Sequence, residues 1–127
     1  MILGFLVETR LNFIKRTFED VYGPGSNPTN YTGQEFTERL TPTASDVYVY
    51  NCVFRYCSSS SNGGALYFSN SVYKLLIEQS SFISCRTDQK GGGICSYSRQ
   101  CVLSRICGFN CSSTNSSSNY GQFTYIS

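Results

Sequence analysis

Seven cysteines carry most of the chemistry this chain could do: Cys52, Cys57, Cys85, Cys95, Cys101, Cys107 and Cys111, all beyond residue 50. A zinc site needs a compact ligand set, yet the chain has no His and no Cys-x-x-Cys pair. Cys107-x-x-x-Cys111 has ligand spacing but no matching second pair nearby, so no metal is expected. A nucleophilic thiol would need an activating base; Arg105 could only lower the pKa of a neighbouring thiol. Two readings stay open, a disulfide framework or a packed stack of thiols. The odd count leaves at least one thiol unpaired in a monomer. The carboxylates are equally sparse. Asp occurs as Asp20, Asp46 and Asp88, and Glu78 stands isolated. Glu35 and Glu38 are close together, but on a segment with no defined cleft for a two-carboxylate glycosidase. A lyase would require grouped carboxylates holding calcium. No catalytic residue and no cofactor is therefore expected.

Binding chemistry is better represented. Ten Tyr and nine Phe occur in 127 residues without a single Trp. Tyr48, Tyr50 and Tyr67 offer ring faces of the kind that stack on the apolar faces of sugars. Asn30, Asn110 and Asn115 each open an Asn-x-Ser/Thr triplet that accepts an N-linked glycan in a secreted protein. The net charge of +2 is too small, and its basic residues too scattered, to indicate nucleic acid. No segment approaches the length of a membrane-spanning helix. Met1–Val7 resembles the apolar part of a signal peptide but lacks a basic start.

The elements that must position these residues follow from an internal repeat. Phe54-Arg55-Tyr56-Cys57 returns 28 residues later as Phe82-Ile83-Ser84-Cys85, and Gly63-Gly64-Ala65-Leu66 returns at the same offset as Gly91-Gly92-Gly93-Ile94. A degenerate third copy runs from Cys107-Gly108-Phe109-Asn110-Cys111 to Tyr120-Gly121-Gln122-Phe123. The preceding segments align as well. Val47, Leu75 and Cys101 share one face with Val49, Ile77 and Leu103, and these columns should be interior. Tyr50, Glu78 and Ser104 fall on the opposite face, which suits solvent. Stacked copies at strand spacing would align like side chains into ladders, as in a parallel β-helix of about three coils. Cys57, Cys85 and Cys111 would then form a structural ladder. An antiparallel sandwich is the competing all-β fold, but it does not require a constant 28-residue ladder.

Residues 1–46 do not clearly join the repeat and are assigned to an N-terminal cap, with the β-helix over 47–127. Val7, Leu11, Ile14, Phe18 and Val21 are spaced as the apolar stripe of a helix stopped by Gly23-Pro24. Tyr48, Leu76 and Val102 form an outward apolar column that needs a cover or a partner. Either residues 1–46 fold over it, or it forms an interaction surface together with Tyr50.

The Gly-Gly-Ala-Leu and Gly-Gly-Gly-Ile segments, each following Phe-x-x-Cys, resemble the repeats of polymorphic membrane proteins. They look still more like Cys-rich β-helix repeat proteins of parasitic protists. The resemblance covers residues 47–127 and implies a right-handed, pectate-lyase-like solenoid in a secreted or cell-surface setting. It also implies adhesion to a host or self surface protein or glycan. The leading expectation is a noncatalytic interaction or structural module. The alternatives are a polysaccharide-active lyase or glycosidase, or its remnant, and a truncated piece of a longer solenoid. Self-association through open solenoid ends is a further expectation.

Overall fold

The computed structural model describes residues 16–115 and 121–127. Among the described residues one short helix, α1 (Phe18–Tyr22), precedes fourteen strands. The first layer holds β1 (Thr29–Thr32) and β2 (Glu35–Phe36). The second holds β3 (Asp46–Tyr50), β4 (Val53–Arg55), β5 (Ser58–Ser59) and β6 (Leu66–Phe68). The third holds β7 (Lys74–Glu78), β8 (Ser81–Ile83), β9 (Arg86–Thr87) and β10 (Ile94–Ser96). The fourth holds β11 (Gln100–Ser104), β12 (Cys107–Phe109), β13 (Ser112–Ser113) and β14 (Thr124–Ile126). Corresponding strands stack into four sheets, β1-β3-β7-β11, β2-β4-β8-β12, β5-β9-β13 and β6-β10-β14. Every ladder is parallel. The result is an all-β stack of parallel sheets, compatible with a β-helix-like solenoid. Antiparallel hairpins, which a sandwich would need, are absent from the described strands.

The 28-residue repeat sets the register between the second and third layers. Val47 lies opposite Leu75, Phe54 opposite Phe82, Ser58 opposite Arg86 and Leu66 opposite Ile94. Residues 29–40, placed in the cap by sequence, supply a further layer. Thr29–Thr32 pairs with Val47–Tyr50, Phe36 lies opposite Phe54, and Leu40 bridges to Leu66.

In-register stacking turns identical positions into columns. Phe36, Phe54 and Phe82 form a pile of rings with centroids 4.9 and 4.8 Å apart. In the fourth layer the equivalent residue is Gly108, and Phe123 enters from another corner to cover Phe82 at 5.6 Å. A methyl group on Gly108 would come within 2.6 Å of the Phe123 ring, so the two substitutions fit only together. Val47, Val49, Leu75 and Ile77 are fully buried beside this pile, and Cys101 and Leu103 pack against it.

The corners explain the remaining repeat residues. Asn51, Gln79 and Arg105 share one column, and all three adopt left-handed backbone with φ of 53, 52 and 55°. Tyr56, Ser84 and Asn110 do the same at the next corner, at 55, 53 and 53°. Such a conformation costs non-glycine residues about 1 kcal/mol and persists where the ladders on both sides dictate it. Gly64 and Gly92 are required for a different reason, close approach of backbones. A Cβ on Gly92 would lie 2.5 Å from the Ser112 carbonyl carbon and collide with the Gln122 oxygen.

The apolar stripe predicted over residues 7–21 is not one continuous helix. Thr17 is extended at φ −98° and ψ 162° and caps a helix that begins at Phe18. Its hydroxyl accepts from the Asp20 amide at 3.1 Å, while the Asp20 carboxylate accepts from the Thr17 amide at 2.8 Å. This reciprocal capping box starts a new helix rather than continuing one. Val7, Leu11 and Ile14 lie outside the described residues. Among the described residues no helix is long and apolar enough to cross a membrane.

Candidate functional site

The outward column of Tyr48, Leu76 and Val102 is covered. Phe18 packs on Tyr48 and Leu76, with Val21, Tyr22, Tyr50 and Val102 around them. Tyr48 is 8% exposed and Leu76 0%, so the column is not the open interaction surface suggested above. The Tyr22 hydroxyl donates to the Leu75 carbonyl at 2.5 Å, and the Tyr48 hydroxyl to the Arg16 carbonyl at 2.8 Å. Both phenols are pushed up to about 12, by burial first. Glu78, placed on the solvent side by alternation, is 1% exposed. The chain entering α1 buries it, and the Arg16 amide donates to its carboxylate at 3.3 Å.

The cysteines are structural in their contacts. All seven are free thiols. Cys57, Cys85 and Cys111 stack in register and repeat one bond. Cys57 Sγ donates to the Phe36 carbonyl at 3.5 Å, Cys85 Sγ to Phe54 at 3.5 Å, and Cys111 Sγ to Phe82 at 3.3 Å. Each thiol thereby reaches the layer beneath. Contact between neighbours divides their acidities. The bond with Cys85 holds Cys57 below an ordinary thiol, and the same contact with burial raises Cys111. The bond with Cys111 lowers Cys85, but the contact with Cys57 and burial together outweigh it and leave Cys85 at about 11. The upward shifts make Cys85 and Cys111 poor nucleophiles. Burial likewise raises Cys95 to about 11 and pushes Cys101 up. Cys107 is the exposed thiol of the seven.

The remaining polar residues divide between corner structure and surface. Thr87 and Ser113 hydroxyls, both buried, donate to the Ser61 and Gln89 carbonyls of the layers beneath and accept from backbone amides two residues on. Glu35 and Glu38 line one shallow groove of about 330 Å³, where Glu35 is tied to Arg55 at 2.9 Å. Among the described residues no group of three His, Cys, Asp or Glu is placed to hold a metal ion. Of the sequon residues, Asn30 lies exposed on β1. Asn110 is exposed at a corner, bonded to Ser84 at 3.3 Å, and Asn115 is half-buried. Ser116 and Ser117 of the third sequon fall outside the described residues.

The surface most suited to binding lies on the β6-β10-β14 sheet. Tyr67 is not grouped with Tyr48 and Tyr50. It lies opposite Cys95, which lies opposite Tyr125, and Tyr97 leans into the space left by the small Cys95 side chain. Tyr67 and Tyr97 meet edge to face at 6.3 Å, and Tyr97 and Tyr125 are tilted at 6.0 Å. Asn62, Tyr67, Ser69, Asn70 and Tyr97 line an open groove of about 380 Å³. Lys90 Nζ donates to the Tyr97 and Tyr125 hydroxyls at 3.3 and 3.4 Å and sits 4.5 Å above the Tyr125 ring. Those two bonds raise the Lys90 pKa. Burial raises Tyr97 despite the ammonium beside it. Arg39 lies 5.0 Å from the Tyr67 ring and donates to the Gly63 and Asn62 carbonyls at 2.9 and 2.5 Å. A groove of about 410 Å³ between Ser58–Ser60 and Arg86–Asp88 carries no aromatic platform.

Sequence reasoning named Tyr67, and the corner loops 58–62 and 86–90 as presented surface, but did not group Tyr67 with Tyr97, Tyr125, Asn62, Asn70, Lys90 or Arg39. Carrying the Gly-Gly alignment three residues further would have set Tyr67 over Cys95 and shown the vacancy that Tyr97 fills. No family model, curated protein or solved structure matches the chain, so the likeness to protist repeat proteins rests on the short motifs alone.

Proposed function

We propose that the chain is a right-handed parallel β-helix serving as a noncatalytic, adhesin-like interaction module in a secreted or cell-surface setting. The stacked parallel layers support the β-helix, and its hand follows from the rule that crossovers between parallel strands of one sheet turn right-handed. The observation that carries the functional reading is the division of chemistry between inside and outside. The inward thiols and hydroxyls of the ladder columns are engaged in contacts between layers, whereas tyrosines, amides and a serine converge on one open outward groove.

A second reading, a polysaccharide-active enzyme, draws on the groove that Glu35 and Glu38 share. Against it, Glu35 already neutralises Arg55. The test is localisation of tagged protein in its native cell, with protease treatment of intact cells and an N-glycosidase gel shift. Surface cleavage and a mobility shift are expected. An intracellular, unmodified product would refute the surface module, and release of reducing ends from polysaccharides would replace it with the enzyme.

A further inference from the structure

We infer that the Tyr67–Tyr97 groove is a saccharide subsite that takes a neutral pyranose unit, an assignment that rests on the interaction-module reading and names its ligand class. The lining consists of two phenols, two primary amides and one hydroxyl: Tyr67, Tyr97, Asn62, Asn70 and Ser69. None is charged. A pyranose presents an apolar C–H face and a rim of hydroxyls that both donate and accept. Aromatic ring faces carry the negative side of a quadrupole that attracts C–H groups, and primary amides supply donors and an acceptor together. That pairing of ring and amide is what the groove offers.

Two nearby cations are already engaged with the lining residues or their backbone. The Lys90 ammonium is held by two phenol oxygens, and the Arg39 guanidinium by two backbone carbonyls and the Tyr67 ring. Their contacts orient the lining. The Lys90 backbone amide donates to Asn62 Oδ1 at 3.2 Å, which sets the direction of that side-chain amide. Ser69 Oγ is paired with Ser71 Oγ at 2.7 Å, and the Tyr97 hydroxyl is fixed by Lys90. Four of the five lining side chains are thus placed before any ligand arrives. Preorganisation of this kind removes part of the ordering cost of binding, which matters most for weak sugar contacts. Lys90 and Arg39 are positioning residues in this scheme.

The experiment is an amide-resonance titration of the full chain with cellohexaose, mannohexaose, chitohexaose and hexagalacturonate. At least one neutral oligosaccharide is expected to shift the side-chain amides of Asn62 and Asn70 at millimolar affinity. Tyr67→Ala should weaken it at least about tenfold, equivalent to losing one stacking ring. Tyr67→Phe, which keeps the ring, and Tyr73→Ala, an exposed tyrosine outside the groove, should stay within about threefold of the parent. Asn70→Ala removes an exposed side chain and tests the groove even if Tyr67→Ala fails to fold. Binding of hexagalacturonate alone, shifts mapping elsewhere, or an unaltered affinity in Asn70→Ala and Tyr67→Ala would overturn the subsite. Attachment of the chain to native cell surfaces despite such a result would leave the interaction module standing without it.

Discussion

Removing the Phe82 ring is the sharpest test of the stacked-layer reading. Phe82 is fully buried, with the Phe54 ring at 4.8 Å and 2° on one side and Phe123 at 5.6 Å on the other. Burying such a ring contributes about 2–3 kcal/mol by transfer, and each aromatic contact adds about 1 kcal/mol. The neighbours cannot close the gap along the stack, because backbone ladders hold successive layers about 4.8 Å apart. Only Phe123, entering from its own corner, is able to settle inward. Phe82→Ala should therefore cost about 4 kcal/mol, near the middle of the range for buried aromatics. Against a total of about 5–15 kcal/mol, that is a large fraction. Phe82→Leu, which keeps most of the volume, should cost about 1–1.5 kcal/mol. Phe109→Ala is the control, because that ring is 68% exposed one residue beyond the gap in the pile. Urea unfolding followed by far-ultraviolet circular dichroism measures all three, with unchanged m-values required so that loss of a single layer is not mistaken for a global effect. A loss under about 2 kcal/mol for Phe82→Ala, or one equal to that of Phe109→Ala, would show that the rings are not stacked as described.

Four further outcomes follow from the same geometry. Gly92→Ala should destabilise by several kcal/mol or prevent folding, since its methyl group meets the Ser112 and Gln122 carbonyls; thermal unfolding or soluble yield reports it. Phe18→Ser should uncover Tyr48 and Leu76 and raise binding of an apolar dye while leaving the far-ultraviolet spectrum unchanged. Cys85, Cys95, Tyr22 and Tyr48 all have raised pKa values, so the folded state holds these protons more tightly than the unfolded chain. Their contribution is complete below about pH 9 and is lost as the pH climbs to about 12, which a urea midpoint measured across that range should show. Within the same titration, Cys107 should react with a thiol reagent fast and before unfolding, and Cys85 and Cys95 only after it.

The parts of the fold readable in advance were those where two motifs kept one spacing. Phe-x-x-Cys and Gly-Gly recur together at 28 residues, and the Val47–Leu75 and Phe54–Phe82 pairings follow directly. The layer formed by residues 29–40 escaped notice because Thr29 lies opposite Val47, only 18 residues on, with no cysteine or glycine pair to mark it. Loop length had changed while the inward Phe36 had not. Thr17-x-x-Asp20 was a readable capping box, but the longer apolar periodicity drew the helix across it. Burial of Glu78 depends on where α1 docks, a tertiary fact that strand alternation does not contain. The tyrosine groove failed for a related reason. Tyr97 occupies the next outward position after Cys95 and reaches back over it, so its column is not its strand register.

The cysteine ladder shows why an interior rich in nominally reactive groups does not imply reactivity. At each Phe-x-x-Cys corner, the chain leaves the Phe strand through a left-handed residue and turns an inward side chain toward the layer beneath. That side chain must be small enough for the corner, apolar enough to lie beside the Phe pile, and able to give a weak bond to a strand carbonyl. A thiol meets all three conditions, since it packs as a small hydrophobe with a weak donor. Stacking then places one thiol above another, and any thiolate would be buried beside its neighbours without a compensating cation. The arrangement that makes cysteine useful to the corner therefore raises the pKa of Cys85 and Cys111, while the bond to Cys85 lowers that of Cys57. Chemistry capable of meeting a partner is displaced to the outward columns, where side chains are not bound by the packing of the layer beneath. On the β6-β10-β14 face, a small residue at position 95 opens the ladder and two tyrosines and an asparagine close around the gap.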